Sequence, residues 1–173
     1  MRRPYGRRSG FEEFAAEHAE GLVRLAYVMC GDRSRAEDAC QETLVALYRR
    51  WPRLETPLAY ARRSVINASR DGWRRDSRQH RTQETLTELA RTESEHPEDA
   101  LLARAALMDA LRRLPDRQRA VIVLRYGSQL TETETAATLD ISIGTVKSQT
   151  ARAFARLRAE LSSEQIIYDM EER

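Results

Sequence analysis

A chain of 173 residues can hold one medium domain or two small ones. Charged residues make up 32% and hydrophobic residues 41%, with a mean hydropathy of −0.65, the balance of a soluble protein with small cores and much solvated surface. No run approaches the roughly 18 apolar residues that a bilayer span needs, and the basic start, Met1 to Arg8, is not followed by the apolar stretch of a signal peptide.

Helical periodicity runs almost throughout and strand alternation is nearly absent. The first helix is expected over 11–30, with Phe11, Phe14, Leu22, Leu25 and Met29 on one stripe and Gly31 as its left-handed end. Ser34 and Glu37 have capping-box spacing, so a second helix is expected from there to Arg50, with Ala36, Cys40, Leu44, Leu47 and Trp51 inward and Pro52 as the stop. Thr56 as N-cap and Pro57 as first helical residue open a third, to about Asp76. Its apolar positions are Ala61, Val65, Ile66, Ala68 and Trp73, and Gly72 marks a point where the helix could fray.

Residues 77–99 are polar, contain His96-Pro97, and read as a flexible linker. Helical pattern resumes near Pro97 and runs to Leu114. Pro115 opens another helix to Tyr126, with Gly127 closing it. The organisation expected is therefore all-α: a basic extension 1–10, a helical domain 11–76, the linker 77–99, a second helical domain 100–161 and an acidic tail 162–173. The charge follows the same divisions. Residues 1–80 carry +5, 81–100 carry −4, 101–161 carry +4 and 162–173 carry −3. Two basic blocks around an acidic spacer are suited to two units that face a polyanion.

Thr131 and Glu134 form another capping box, opening a short helix to Leu139. Asp140, Ile141 and Ser142 make a tight turn, and Ser142 caps a helix over about 143–161. Asp140 takes the place where a left-handed residue is needed, which Asp tolerates better than most. Two helices joined by three residues fit a DNA-binding helix-turn-helix spanning Thr131 to Arg158. At 100° per residue, Val146, Thr150, Ala153, Phe154 and Leu157 make the inward stripe. Thr145, Lys147, Ser148, Gln149, Arg152 and Arg156 are left for DNA, as short hydrogen-bonding groups and cations suited to base edges and phosphates.

The run from Arg35 to Trp51, RAEDACQETLVALYRRW, resembles region 2.2 of the extracytoplasmic-function (ECF) sigma factors, the compact branch of the sigma-70 family. The resemblance implies that Asp38, Gln41 and Glu42, with Leu44 and Leu47 behind them, dock on the β′ clamp helices of core RNA polymerase. The run PLAYARRSVINASRDGWRR, residues 57–75, looks like regions 2.3 and 2.4, which recognise and open the −10 element. Arg62, Arg63, Asn67, Arg70, Asp71, Trp73, Arg74, Arg75 and Arg78 are then the −10 candidates. An unstacked base held by hydrogen bonds and a planar neighbour is the chemistry of strand opening; Trp73 is either that neighbour or a core anchor. LPDRQRAVIVLRY (114–126), TETETAATL (131–139) and GTVKSQTARAFARLR (144–158) resemble region 4, the −35 reader. The small actinobacterial type is the nearest subgroup.

The function implied is promoter-specific transcription initiation as a polymerase subunit. Expected partners are the core enzyme (clamp helices and β flap), promoter DNA and an anti-sigma factor, with the free chain a cytoplasmic monomer and no membrane involved. A helix-turn-helix regulator that acts without being a polymerase subunit is the alternative. A receiver domain would need alternating strands and helices in the first half, which are missing. No catalytic residue, metal or cofactor is expected, because no nucleophile–base pair or phosphate loop appears and His18, His80 and His96 are scattered. Cys30 and Cys40 read as reduced core packing.

Overall fold

In a computed structural model the described residues are 9–76 and 97–161, with side chains for 10–70 (Pro52 apart) and 102–161. The chain divides between residues 78 and 79 into two compact units, and every regular element among the described residues is a helix. The all-α expectation holds. Most of the expected linker, with the first eight residues and the tail, lies outside the described residues.

In the first unit α1 (Ser9–Cys30), α2 (Arg33–Arg50) and α3 (Pro57–Asp76) pack on one another. The expected stripes meet at its centre. Leu22, Leu25 and Met29, Ala36, Cys40 and Leu47, and Ala61, Val65 and Ile66 are all buried. Ala26, Ala36 and Ala61, one from each helix, are fully buried, and such small side chains let helices approach closely. The buried hydroxyl of Ser69 is satisfied by its own helix, donating to the Val65 carbonyl at 2.7 Å. Phe11 and Phe14 are half-buried because they pack on the far end of α2. Trp51 lies 5.4 and 5.2 Å from their ring centroids, and Tyr48 5.1 Å from Phe11.

The junction of α1 and α2 corrects one expectation. Gly31 is left-handed (φ 76°) and its N–H reaches the Tyr27 carbonyl at 2.7 Å, as the pattern required. The cap of α2, however, is Asp32 rather than Ser34. Its carboxylate accepts from the Arg35 N–H at 2.8 Å, and the helix begins at Arg33. Aspartate is as good an N-cap as serine and its charge complements the helix dipole, and Asp32 is the first residue after Gly31 to take the extended conformation a cap needs. Glu37 pairs instead with Arg33 at 3.0 Å.

In the second unit α4 (Pro97–Arg113), α5 (Asp116–Ile122), α6 (Glu132–Leu139) and α7 (Ile143–Glu160) surround Leu111, Leu114, Val121, Ile122, Leu124, Val146, Phe154 and Leu157. The guanidinium of the buried Arg119 donates to the carbonyls of Arg112 at 2.7 Å and Leu114 at 3.0 Å, satisfying acceptors that the end of α4 leaves open. After Ile122 the chain widens into a π turn, Val123–Gly127, where the Ser128 N–H reaches the Val123 carbonyl at 2.9 Å. A simple helix ended by Gly127 was expected. The wider turn carries the reversal further along, and the left-handed residue is Gln129 (φ 55°). Arg125 fastens this reversal by donating to the Leu130 carbonyl, and Tyr126 meets Phe154 edge-on at 5.2 Å.

Cys30 and Cys40 are free and buried. Burial pushes both thiols above their ordinary value of 9.0. Native protein should therefore resist a disulfide-exchange reagent at neutral pH and react once unfolded; fast reaction of the native form would contradict this packing. Because folding raises these pKa values, their contribution to stability is intact below the unfolded value and lost as pH rises through the folded one. Denaturation midpoints should fall on the alkaline side of about 9.

Candidate nucleic-acid interface

The helix-turn-helix is built by local chemistry at each end. The Thr131 hydroxyl accepts from the Glu134 N–H at 3.2 Å while the Glu134 carboxylate accepts from the Thr131 N–H at 2.8 Å, so the capping box is complete. At the far end Asp140 is left-handed (φ 57°, ψ 52°), and the N–H groups of Asp140 and Ile141 both reach the Ala136 carbonyl. Ser142 then caps α7, accepting from the Thr145 N–H at 3.1 Å. Leu139 and Ile141 pack on Val121, Ala136 and Val146. The turn is thereby anchored to the core, and the direction of α7 follows from it.

Along α7 four of the five expected inward residues are buried, and the fifth, Thr150, is half-buried. Val146, Ala153, Phe154 and Leu157 are buried, whereas Lys147, Ser148, Arg152 and Arg156 are exposed and Thr145 and Gln149 half-buried. Two outward hydroxyls already have internal bonds. Thr145 Oγ1 lies 2.8 Å from Ser142 Oγ, and Ser148 Oγ donates to the Thr145 carbonyl at 3.1 Å. Each keeps lone pairs to accept with. Lys147 lies 3.6 Å from Glu132 of α6, a residue that the pattern of outward cations gave no reason to single out.

In the first unit Asp38, Gln41 and Glu42 are exposed on one face of α2. Leu44 is half-buried, but Leu47 is fully buried and belongs to the core, not to any docking surface. The apolar residues of the outer face are Val45, 52% exposed, and Tyr48, 41% exposed. Their spacing from Gln41 and Glu42, three or four residues per step, is the signal that finds them.

On α3, Arg63 and Asn67 are exposed and Arg62 and Arg70 half-buried. Asp71, Trp73, Arg74 and Arg75 stand on its last turns, and the helix runs unbroken through Gly72 instead of fraying there. Arg78 lies outside the described residues. Arg63, Asn67, Arg70 and Arg74 recur at helical spacing, and Tyr60 precedes them by one turn with the Arg50 guanidinium 5.6 Å from its ring centroid.

Known proteins match both units. Residues 14–79 fit the family model of sigma-70 region 2, and residues 110–159 that of sigma-70, region 4. The RNA polymerase sigma-E factor of Streptomyces coelicolor is 39% identical over 155 residues, covering 87% of this chain and 85% of that one. The ECF RNA polymerase sigma factor SigL of Mycobacterium tuberculosis is 31% identical over 150 residues, covering 84% and 85%. The chain belongs to the sigma-70 family, in its ECF branch. Two solved structures share its fold: CnrH in complex with the cytosolic domain of CnrY (TM-score 0.69, 24% identity, 92% of each chain), and RpoE in complex with the anti-sigma factor NepR from Bartonella quintana (TM-score 0.67, 23% identity, 90% of this chain and 98% of that one). Among the described residues no helix is long and apolar enough to cross a membrane.

The turn geometry sets the cost of disturbing it. Ser142→Ala should destabilise α7 by about 1 kcal/mol and Asp140→Val by about 1–2 kcal/mol, whereas Asp140→Gly should stay within about 1 kcal/mol of the parent. Hydrogen exchange of the α6 and α7 amides reads all three. Unchanged protection in Ser142→Ala would show that the cap does not hold the helix.

Proposed function

We propose that this sigma factor gives RNA polymerase its promoter choice through three faces. The outer face of α2, with Asp38, Gln41, Glu42, Leu44 and the exposed Val45, binds the clamp helices of the core enzyme. The α3 stripe with Arg62, Arg63, Asn67 and Arg70, continued by Asp71, Trp73, Arg74 and Arg75, takes the −10 element and holds its opened bases. The outward side of α7, with Thr145, Lys147, Ser148, Gln149, Arg152 and Arg156, reads the −35 element.

The observation that carries this reading is the division of α7. Four apolar residues are buried and the cations Lys147, Arg152 and Arg156 are exposed, on a helix whose direction is fixed at the turn. The α2 face adds an acid–amide–acid patch beside exposed apolar side chains, a mixture suited to an arginine-rich protein surface. The protein performs no bond chemistry; its work is binding and strand separation. Because CnrH and RpoE were solved with CnrY and the anti-sigma factor NepR, we include an anti-sigma factor among the partners.

Run-off transcription tests the reading directly. Core polymerase with this chain should give promoter-dependent transcripts from some genomic fragments, and core alone should not. Total absence of such transcripts would overturn it. Promoter binding should weaken steeply with salt, because each phosphate contact releases a counterion. Arg152→Ala should lower −35-dependent binding roughly tenfold with opening little changed, and Asn67→Ala should impair opening, seen by permanganate reactivity of the −10 thymines. Equal effects of both substitutions on both steps would remove this division of labour.

A further inference from the structure

The ammonium of Lys147 lies 3.6 Å from the carboxylate of Glu132, in the first turn of α6. The other acid of that turn is committed elsewhere. The Glu134 carboxylate accepts from the Thr131 N–H at 2.8 Å and from its hydroxyl at 2.7 Å, within the capping box. Glu132 takes no part in that cap, and its charge is left to act on Lys147. Further along α7, Arg152 and Arg156 are exposed with no acid paired to them among the described residues. One cation of this face is therefore offset internally and its neighbours are not.

That asymmetry acts differently on two kinds of DNA. Binding to arbitrary sequence is driven almost entirely by phosphate neutralisation, so an acid beside Lys147 subtracts from it directly. A lysine head carries three N–H donors on a flexible four-carbon stem. At 3.6 Å the pair is an ion-pair contact rather than a hydrogen bond, so the carboxylate biases where the ammonium sits on the face and leaves its three donors open for DNA. Lys147 sits in the N-terminal part of α7, the part of a recognition helix that meets base edges. There, O6 and N7 of guanine are the acceptors a lysine reads.

We propose that Glu132 is a positioning residue for base recognition by α7: paired with Lys147, it weakens attachment to arbitrary DNA while aiming the ammonium at a base edge. The pair then raises discrimination rather than affinity. This rests on the −35 reading proposed for α7.

The test uses core polymerase carrying the full chain. One probe is a promoter fragment selected by the unsubstituted holoenzyme from duplexes randomised at the −35 position; the other has the same composition with that position scrambled. Glu132→Gln should tighten binding to the scrambled duplex about two- to fivefold, the effect of roughly one exposed charge. It should steepen the slope of log K against log salt by ~0.9, and reduce the ratio of selected to scrambled affinity about threefold or more. In a Lys147→Ala background the same substitution should leave the ratio unchanged, since the pair is already broken. A ratio untouched by Glu132→Gln, or shifted equally in the Lys147→Ala background, overturns the proposal while −35 recognition stands. If the unsubstituted holoenzyme shows no preference at the −35 position, the reading of α7 fails and the proposal with it.

Discussion

The second unit depends on one backbone constraint, the left-handed residue at position 140. Helix α6 must end abruptly for α7 to start after only three intervening residues. A single residue with positive φ accomplishes the reversal, and Asp140 supplies it without being glycine. The remaining features of the motif fall into place around that point. Ala136 receives two N–H groups from the turn, Ile141 is drawn onto the core, and Ser142 is delivered to the position where its hydroxyl can cap α7. Without the reversal the stripe through Val146, Ala153 and Leu157 would have nothing to pack against, and the polar face would have no defined direction.

The first unit solves a different problem with the same materials. Each of the three helices brings a fully buried alanine to the core, beside larger side chains such as Leu22, Leu47, Val65 and Ile66. The bulky aromatics are displaced to one end, where Phe11 and Phe14 pack on Trp51. That arrangement leaves the outer faces of α2 and α3 available, one acidic with exposed apolar residues and one arginine-rich. Small cores with differently charged exteriors suit a protein that works by joining other macromolecules. Two modest contacts on one chain also reinforce each other through effective concentration.

Much of this was legible in the residues alone. Caps with a side chain and a spacing of three, at Thr131 and Ser142, announce themselves, as do stripes at 3.6-residue intervals. Gly31 and Asp140 were found where a left-handed residue was required. What escaped depends on competition or on neighbours. Ser34 lost to Asp32 because both are good caps and only the preceding turn decides which one is extended. The π turn after Ile122 has no periodic signature. Leu47 and Val45 are both apolar on one helix, and only the positions of α1 and α3 determine that the first is buried and the second is not. Glu132 was invisible for the same reason, since a wheel shows a face but not what stands across from it. The roles of the α3 arginines came from resemblance, because an arginine-rich helix face alone does not distinguish duplex from single strand.

Among 29 basic residues, 28 are arginine and a single one is lysine. That lysine is Lys147, 64% exposed on α7. Amine-directed acylation therefore has one side-chain amine to find on this chain, apart from the amino terminus. A fluorophore or crosslinker placed by amine coupling would report from the recognition helix itself, and an acyl group transferred there would cancel one positive charge at the surface proposed to face the promoter.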